Sequence, residues 1–513
     1  MYRHHRKSVS GSALAYALVI MSSVAILLTS ILGFISSQAK YSLQRQSQEE
    51  SLRIAESGAH FYKWYLAHQL NGRTNSQIDA FWGGGTALGQ SSPYIADYKD
   101  PYGSTIGQYS ITVTPPISGS TIVYVQSEGW TSKYPALKRT LRMRLRRPSW
   151  SESAVLANDF MRFGVGTEVY GKIHSNGGIR FDGLAHNVVS SSLTSVDDPD
   201  HSGGNEFGVH THVSPVDPLP PAVVPARLDV FEAGRTFPVA TTDFTGVLGD
   251  LNTMKSEAQA GRGKYFDNTG VGRKIILKTD GTYDTCKVNA ADLSTVVPLD
   301  TNTNTITNYN GVVSGAFGPR IGTNGNPCTT TACCTSATCG WINNAQHNRG
   351  KCVSLSNYPI IDNGVIFVEN NLWLSGQINT KKISIVAANI SSGPVASVFI
   401  PTNLTYTNYD GRDILGVIGQ NNVEIPFDSS DVLRIDGALL AQQGRIGAEH
   451  YGNHKTTLTV NGALATNQRY GFAWTDGTGY TTRNLYYDNN LLYYPPPYFP
   501  TGTQYLLDLW EEL

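Results

Sequence analysis

The stretch ALAYALVIMSSVAILLTSILGFI, residues 13–35, holds no charged side chain, and none follows it until Lys40. As a helix rising about 1.5 Å per residue it reaches ~35 Å, enough to cross a hydrocarbon core of about 30 Å. Ser22, Ser23, Thr29 and Ser30 do not oppose insertion, because a hydroxyl in a membrane helix bonds to the preceding turn or a neighbouring helix. Arg3, Arg6 and Lys7 precede the run. Positive charge there orients the N-terminus to the cytoplasm and the remainder of the chain outside. The apolar core of a secretory signal is shorter, ~7–15 residues. A retained membrane-spanning helix is therefore expected, with ordinary cleavage after the small residues 36–39 as the alternative.

The helix is expected to continue past the membrane. Between Lys40 and Leu70 there is no Pro and a single Gly, Gly58. Leu52, Ala55, Ala59, Tyr62 and Leu66 recur at spacings of three and four, which is one helical stripe. Asn71-Gly72 supplies a stop. The spacing predicts one helix over 12–70, ~88 Å long, lipid-compatible in its first half and amphipathic in its second.

A short basic leader, residues 1–11, ending in Gly11 and followed by such a helix resembles the signal of type IV pilins and pseudopilins. Gly11-Ser12-Ala13-Leu14-Ala15-Tyr16-Ala17-Leu18 is similar to the start of PilX-type minor pilins. Gln48-Glu49-Glu50-Ser51-Leu52-Arg53-Ile54-Ala55-Glu56-Ser57-Gly58 resembles the segment that follows in them. The resemblance implies that prepilin peptidase cuts after Gly11 and leaves Ser12 as a methylated N-terminus. It also implies assembly with other pilin-like subunits through the helix. Major pilins carry Glu at the fifth mature position, where it pairs with a neighbour's terminal amine; here that position is Tyr16. In the family this loss is typical of subunits at a filament tip.

Composition bounds the rest. The 513 residues carry 15% charged and 10% aromatic side chains, with a formal net charge of −1 and 51 Gly. Few charges and many aromatics argue against disorder and against a long charged helical protein. A near-zero net charge gives no global attraction to nucleic acid, which is not expected as a partner. The composition is that of an extracellular β-rich chain.

Residues 71–150 read as a small antiparallel sheet packed on the helix. Tyr109, Ile111 and Val113 alternate with polar residues, and Leu141, Met143 and Leu145 alternate with Arg142, Arg144 and Arg146, which puts three Arg on one face. Residues 151–360 read as β-rich, with a Pro-rich linker at 215–225, a helix at Val247, Leu251, Met254 and Ala258, and a Cys-rich insert. Cys286, Cys328, Cys333, Cys334, Cys339 and Cys352 lie on the side expected to be oxidising, which favours disulfides over zinc. Residues 361–513 carry short apolar strands, and an apolar-x-Gly-x-Ile/Leu pattern recurs at Gly376, Gly437 and Gly462 as it does earlier at Gly171. Small residues where the chain bends suit a parallel β-helix-like solenoid; a β-sandwich is the alternative. The aromatic residues beyond 470 would cap its open end or recognise sugar or protein.

Five of the twelve His lie between His174 and His212, near Asp197, Asp198 and Asp200. His210 and His212 share a strand face, so His174, His210 and His212 are metal candidates, although no established metal-binding spacing is present. Neither a catalytic residue nor a cofactor is expected: the sequence has no nucleophile elbow, phosphate-binding loop or dinucleotide fingerprint. The expected fold class is mainly β with one long N-terminal helix. The expected role is a minor-pilin-like surface protein, at the tip or in low copy in a filament, acting in adhesion or assembly priming. A ligand on the head would be a surface glycan or protein. The alternatives are a membrane-tethered glycan lyase or hydrolase and a type II secretion pseudopilin.

Overall fold

The computed structural model describes residues 10–290 and 350–513, except 74, 118–119, 245–246, 271, 392, 427–428, 449, 451–453 and 503, together with short strands at 312–313, 320–321 and 340–341. Helix α1 runs from Ser10 to Gln69 without interruption. Its apolar first half is bare, with Leu14, Val19, Leu27 and Phe34 each more than half exposed. The hydroxyls there turn inward: Ser22 and Ser23 donate to the Val19 carbonyl at 2.9 and 2.8 Å, and Thr29 donates to that of Ala25. Among the described residues this is the one helix long and apolar enough to cross a membrane.

The second half of α1 is buried in an antiparallel sheet of β1 (Tyr94–Lys99), β2 (Thr105–Thr114), β3 (Ile122–Thr131) and β4 (Arg139–Arg146). Helix α2 (Asn75–Gly83) closes one end with Ile78 and Trp82. Ile54, Ala55, Ala59, Tyr62 and Leu66 meet Ile111, Val113, Val123, Val125, Leu141, Met143 and Leu145. The buried stripe is turned slightly from the expected one: Leu52 is only half-buried, while Ser47 and Ser51 are buried. Those two serines pair with Thr131 and with the Leu137 carbonyl, which lets polar residues lie under the sheet edge. Gly129 marks the closest approach. A Cβ there would lie 2.4 Å from both the Ala55 nitrogen and the Ser51 carbonyl oxygen, so only glycine lets β3 reach the helix backbone.

The fifth strand of this sheet comes from the other end of the chain. Leu506–Glu512 pairs antiparallel with β4, with Glu511 opposite Arg142. The arginine face of β4 is therefore paired with carboxylates rather than free for an anionic polymer. Arg139 pairs with Glu512 and Arg142 with Glu511. Arg144 reaches Asp508 at 2.6 Å, and Arg146 is shared between Glu152 and Asp508. Tyr505 also joins the helix–sheet core, accepting a hydrogen bond from Trp82 Nε1 at 2.9 Å. The segment 361–513 thus ends outside the solenoid rather than on its cap.

The remaining strands form a parallel stack. One ladder runs, in spatial order, through strands 263–266, 364–368, 382–387, 414–419, 438–441, 464–466, 155–157, 173–175, 189–191 and 235–236. A second runs through 276–277, 376–378, 404–406, 432–437, 454–462, 479–487, 167–170 and 184–185. The coils are therefore not stacked in sequence order, and position 360 is no break. Residues 151–191 extend the end laid down by residues 454–487, and the chain then crosses the whole stack to begin again at 263. Helix Val247–Gln259 forms the last part of that crossing, over strands 263–266 and 364–368.

Alternation along the first ladder splits its residues between two cores. Ile366, Val368, Ile383 and Ile385 point into the solenoid. Val365, Phe367 and Val386 point outward, where Leu251, Met254, Leu491 and Phe499 cover them. Burial on both faces explains why these strands read as continuous apolar runs. The patterned glycines stand at corners. Strand 432–441 pairs with one ladder before Gly437 and with another after it. Gly437 has φ +136°, and a Cβ on Gly462 in the next coil would lie 1.8 Å from its carbonyl oxygen.

Two outcomes are expected. Gly129→Ala forces the helix and β3 apart and lowers stability by about 1–3 kcal/mol, the usual cost of overpacking, measured by denaturant unfolding of the detergent-solubilised chain. Arg144→Ala frees the last strand while sparing the solenoid. Hydrogen exchange then accelerates at residues 506–512 and not at 432–466; equal acceleration in both segments would contradict this arrangement.

Candidate functional site

The polar residues that the fold gathers most closely lie over the coil formed by strands 161–163, 179–181 and 209–210. Ile179, Phe181 and Val209 point into the solenoid, so Arg180 and His210, partners in the parallel ladder, point out. The hairpin of strands Ser195–Val196 and Glu206–Phe207 lies over them. His210 is consequently 1% exposed although it faces away from the core. His212, two residues on, falls on the same side and is partly exposed.

Four side chains converge here: Asp198, Glu206, His210 and His212 each offer a donor atom, and these atoms all lie within 4.8 Å of one another. His212 Nε2 is 2.6 Å from Glu206 Oε1, and His201 Nδ1 is 3.3 Å from the same oxygen. His210 Nε2 is 2.7 Å from Glu206 Oε2 and 3.6 Å from Asp198 Oδ2. The other ring nitrogen of His210, Nδ1, donates to the Phe207 carbonyl at 2.9 Å. In a neutral ring this leaves Nε2 as a bare lone pair facing two carboxylates. His210 Nε2 and Glu206 Oε2 are both buried and face each other at 2.7 Å, with no other hydrogen-bond partner.

A second layer fixes these groups. Asp182 accepts the His212 backbone N–H at 2.8 Å and the Arg180 Nε–H at 2.7 Å. Arg180 Nη1 donates to Asp198 at 3.1 Å. Burial pushes the Asp198 carboxyl upward, but the Asp200 N–H and Arg180 outweigh it and hold the group below the usual carboxylate range. Asp200 itself is held by Arg162 and Arg469, which join the loop to the neighbouring coil.

Beside this cluster a cleft of about 640 Å³ is lined by Arg162, Asp200, Arg445, Arg469, Trp474 and Arg483 among others. Asp200 is the one carboxylate among the described residues that line it. The Arg483 guanidinium is spent on the Gly164, Val165, Tyr480 and Thr481 carbonyls and the Thr167 hydroxyl.

Of the candidates read from sequence, His210 and His212 come together and His174 does not join them. His174 bonds to Ser190 and Asn176, and burial holds its imidazole below the usual range. Asp198 belongs to the acidic run beside the histidines. Glu206 escaped the sequence reading; its signal was the spacing Glu206-x-x-x-His210-x-His212, visible once 195–207 is taken as a hairpin. Gly11 and Ser12 lie inside the bounds of α1, and Tyr16 is exposed on it. Cys286 is buried in strand Thr282–Ala290, and Cys352 lies in the adjacent strand Gly350–Pro359, opposite Val288. Cys328, Cys333, Cys334 and Cys339 lie outside the described residues, as does the basic leader 1–9. The late aromatics divide: Tyr470, Phe472, Tyr480 and Phe499 are buried, whereas Trp474, Tyr486 and Tyr494 are exposed.

No family model matches the chain. No curated protein matches it either. Among solved structures it is similar to the competence-associated pilin ComZ from Thermus thermophilus, at 11% identity, covering 91% of this chain and 98% of that one, with a TM-score of 0.30.

Proposed function

We propose that the protein is a minor-pilin-like surface subunit, held in low copy or at the tip of a type IV pilus-like filament, whose solenoid head acts in adhesion. The observation that carries this reading is the division of α1. Its first half is apolar and bare, and its second half is locked into an antiparallel sheet. Such a helix is stable only where lipid or other apolar helices cover it. The same surface serves both: it anchors the subunit in the inner membrane, N-terminus inside, and then packs against other pilin-like subunits in a filament.

Tyr16 supports a terminal or rare position, because it offers no carboxylate to a neighbour's terminal amine. The head supports it too, since a body of this size crowds a densely repeating filament. Exposed Trp474, Tyr486 and Tyr494 offer ring surface for glycan or protein contact. Assembly priming and a type II secretion pseudopilin use the same helix and need no head ligand. Glycan cleavage is less supported: it calls for two carboxylates across a cleft, and the described cleft has one, tied to two arginines.

Intact mass and N-terminal sequencing of protein from envelopes and sheared surface material test the reading. Prepilin peptidase leaves an N-methylated Ser12, and the subunit appears in the sheared fraction; Gly11→Val blocks both. An intact Met1 confined to membranes, or a terminus near Ala39 or Lys40, would remove the pilin-like reading. Processed protein absent from sheared filaments would favour the secretion pseudopilin.

A further inference from the structure

We propose that Asp198, Glu206, His210 and His212 form a binding site for a zinc-class divalent cation, which staples the 195–207 hairpin onto the solenoid. The inference is independent of how the N-terminus is processed.

Three observations carry it. First, the donor set is right: two imidazoles and two carboxylates are ligands for zinc and related first-row metals. Donors bound tetrahedrally at about 2.0–2.1 Å lie ~3.3 Å apart. The present atoms lie within 4.8 Å of one another, with the closest pairs at 2.6–2.7 Å. Small side-chain shifts suffice to admit the ion. Second, His210 is already set in the ligating form. Its Nδ1–H is committed to the Phe207 carbonyl, so Nε2 is the nitrogen left to ligate, the arrangement by which an outer hydrogen bond fixes a metal-binding imidazole. His210 Nε2 and Glu206 Oε2 are buried, face each other at 2.7 Å and have no other hydrogen-bond partner, so both are at hand for a shared cation.

Third, the carboxylates outnumber the fixed cations: Asp182 and Asp198 share Arg180, and the partners of Glu206 are the imidazoles of His201, His210 and His212. The ligands are mostly covered, and they come from three segments that share little apolar contact, so the role is structural. The hairpin strands are two residues each, and metal ligation would supply cohesion that so short a ladder lacks.

The test uses the full-length chain in detergent, carrying a tag without histidines. Zinc content is measured by mass spectrometry, and the zinc coordination shell by X-ray absorption. The expected results are stoichiometric zinc with a shell of nitrogen and oxygen at about 2.0–2.2 Å, and slowed hydrogen exchange at 197–205 when zinc is present. Glu206→Gln and His212→Ala should each weaken zinc binding at least about tenfold. His212 is the more exposed ligand, so its variant keeps the test open where a change at buried Glu206 disturbs folding. Folded protein without stoichiometric zinc would overturn the proposal and leave a histidine–carboxylate network only. So would sulfur in the coordination shell, or unchanged binding in both variants.

Discussion

The ladder contact between strands 454–487 and strands 155–170 is the joint on which the rest of the molecule depends. Leu464 lies beside Val155, and Leu485 beside Val169. Without it the solenoid would be two short stacks, each with an open parallel edge, and such edges pair with whatever reaches them. With it, ten strands share one ladder and a continuous core. The joint also fixes where the chain ends emerge. Residues 148–150 and 500–502 come together at the junction, where Trp150 N–H bonds to the Pro500 carbonyl at 3.2 Å. From there the last strand reaches β4 and closes the sheet around α1.

That closure couples the two bodies through charge. The four arginines of β4 would repel one another if left alone; the carboxylates of the C-terminal strand and Glu152 neutralise them in register. Most of these pairs are partly exposed, so each contributes little by itself. Their value is in alignment: a one-residue slip of the last strand would turn Glu511 away from Arg142 and expose Tyr505. The helix–sheet module is thereby tied to the head by a strand as well as by the direct 146–155 connection.

The histidine cluster follows from the same stacking. Parallel pairing sets His210 beside Arg180, and the short hairpin over them excludes water from groups that solvent would otherwise satisfy. Burying Asp182, Asp198 and Glu206 beside two imidazoles is costly unless their charges are matched, and that cost supports the cation proposed there.

The sequence by itself determined the local elements. The long helix was legible because a charge-free run and a 3–4 stripe are properties of neighbouring residues. The strands of 109–145 were legible from alternation, and the solenoid from glycines that stand where the chain turns a corner. Tertiary structure alone decided which strands adjoin. Residue order carries no record that 155 lies beside 464, that 506–512 joins β4, or that 263 begins the far end of the stack, because ladder hydrogen bonds are made by the backbone and are the same for any partner. For that reason the pairing of the arginine face was not legible, and Glu206 went unnoticed. His210 and His212 share a face by spacing, but Asp198 and Glu206 reach them only through the fold of the hairpin across the coil.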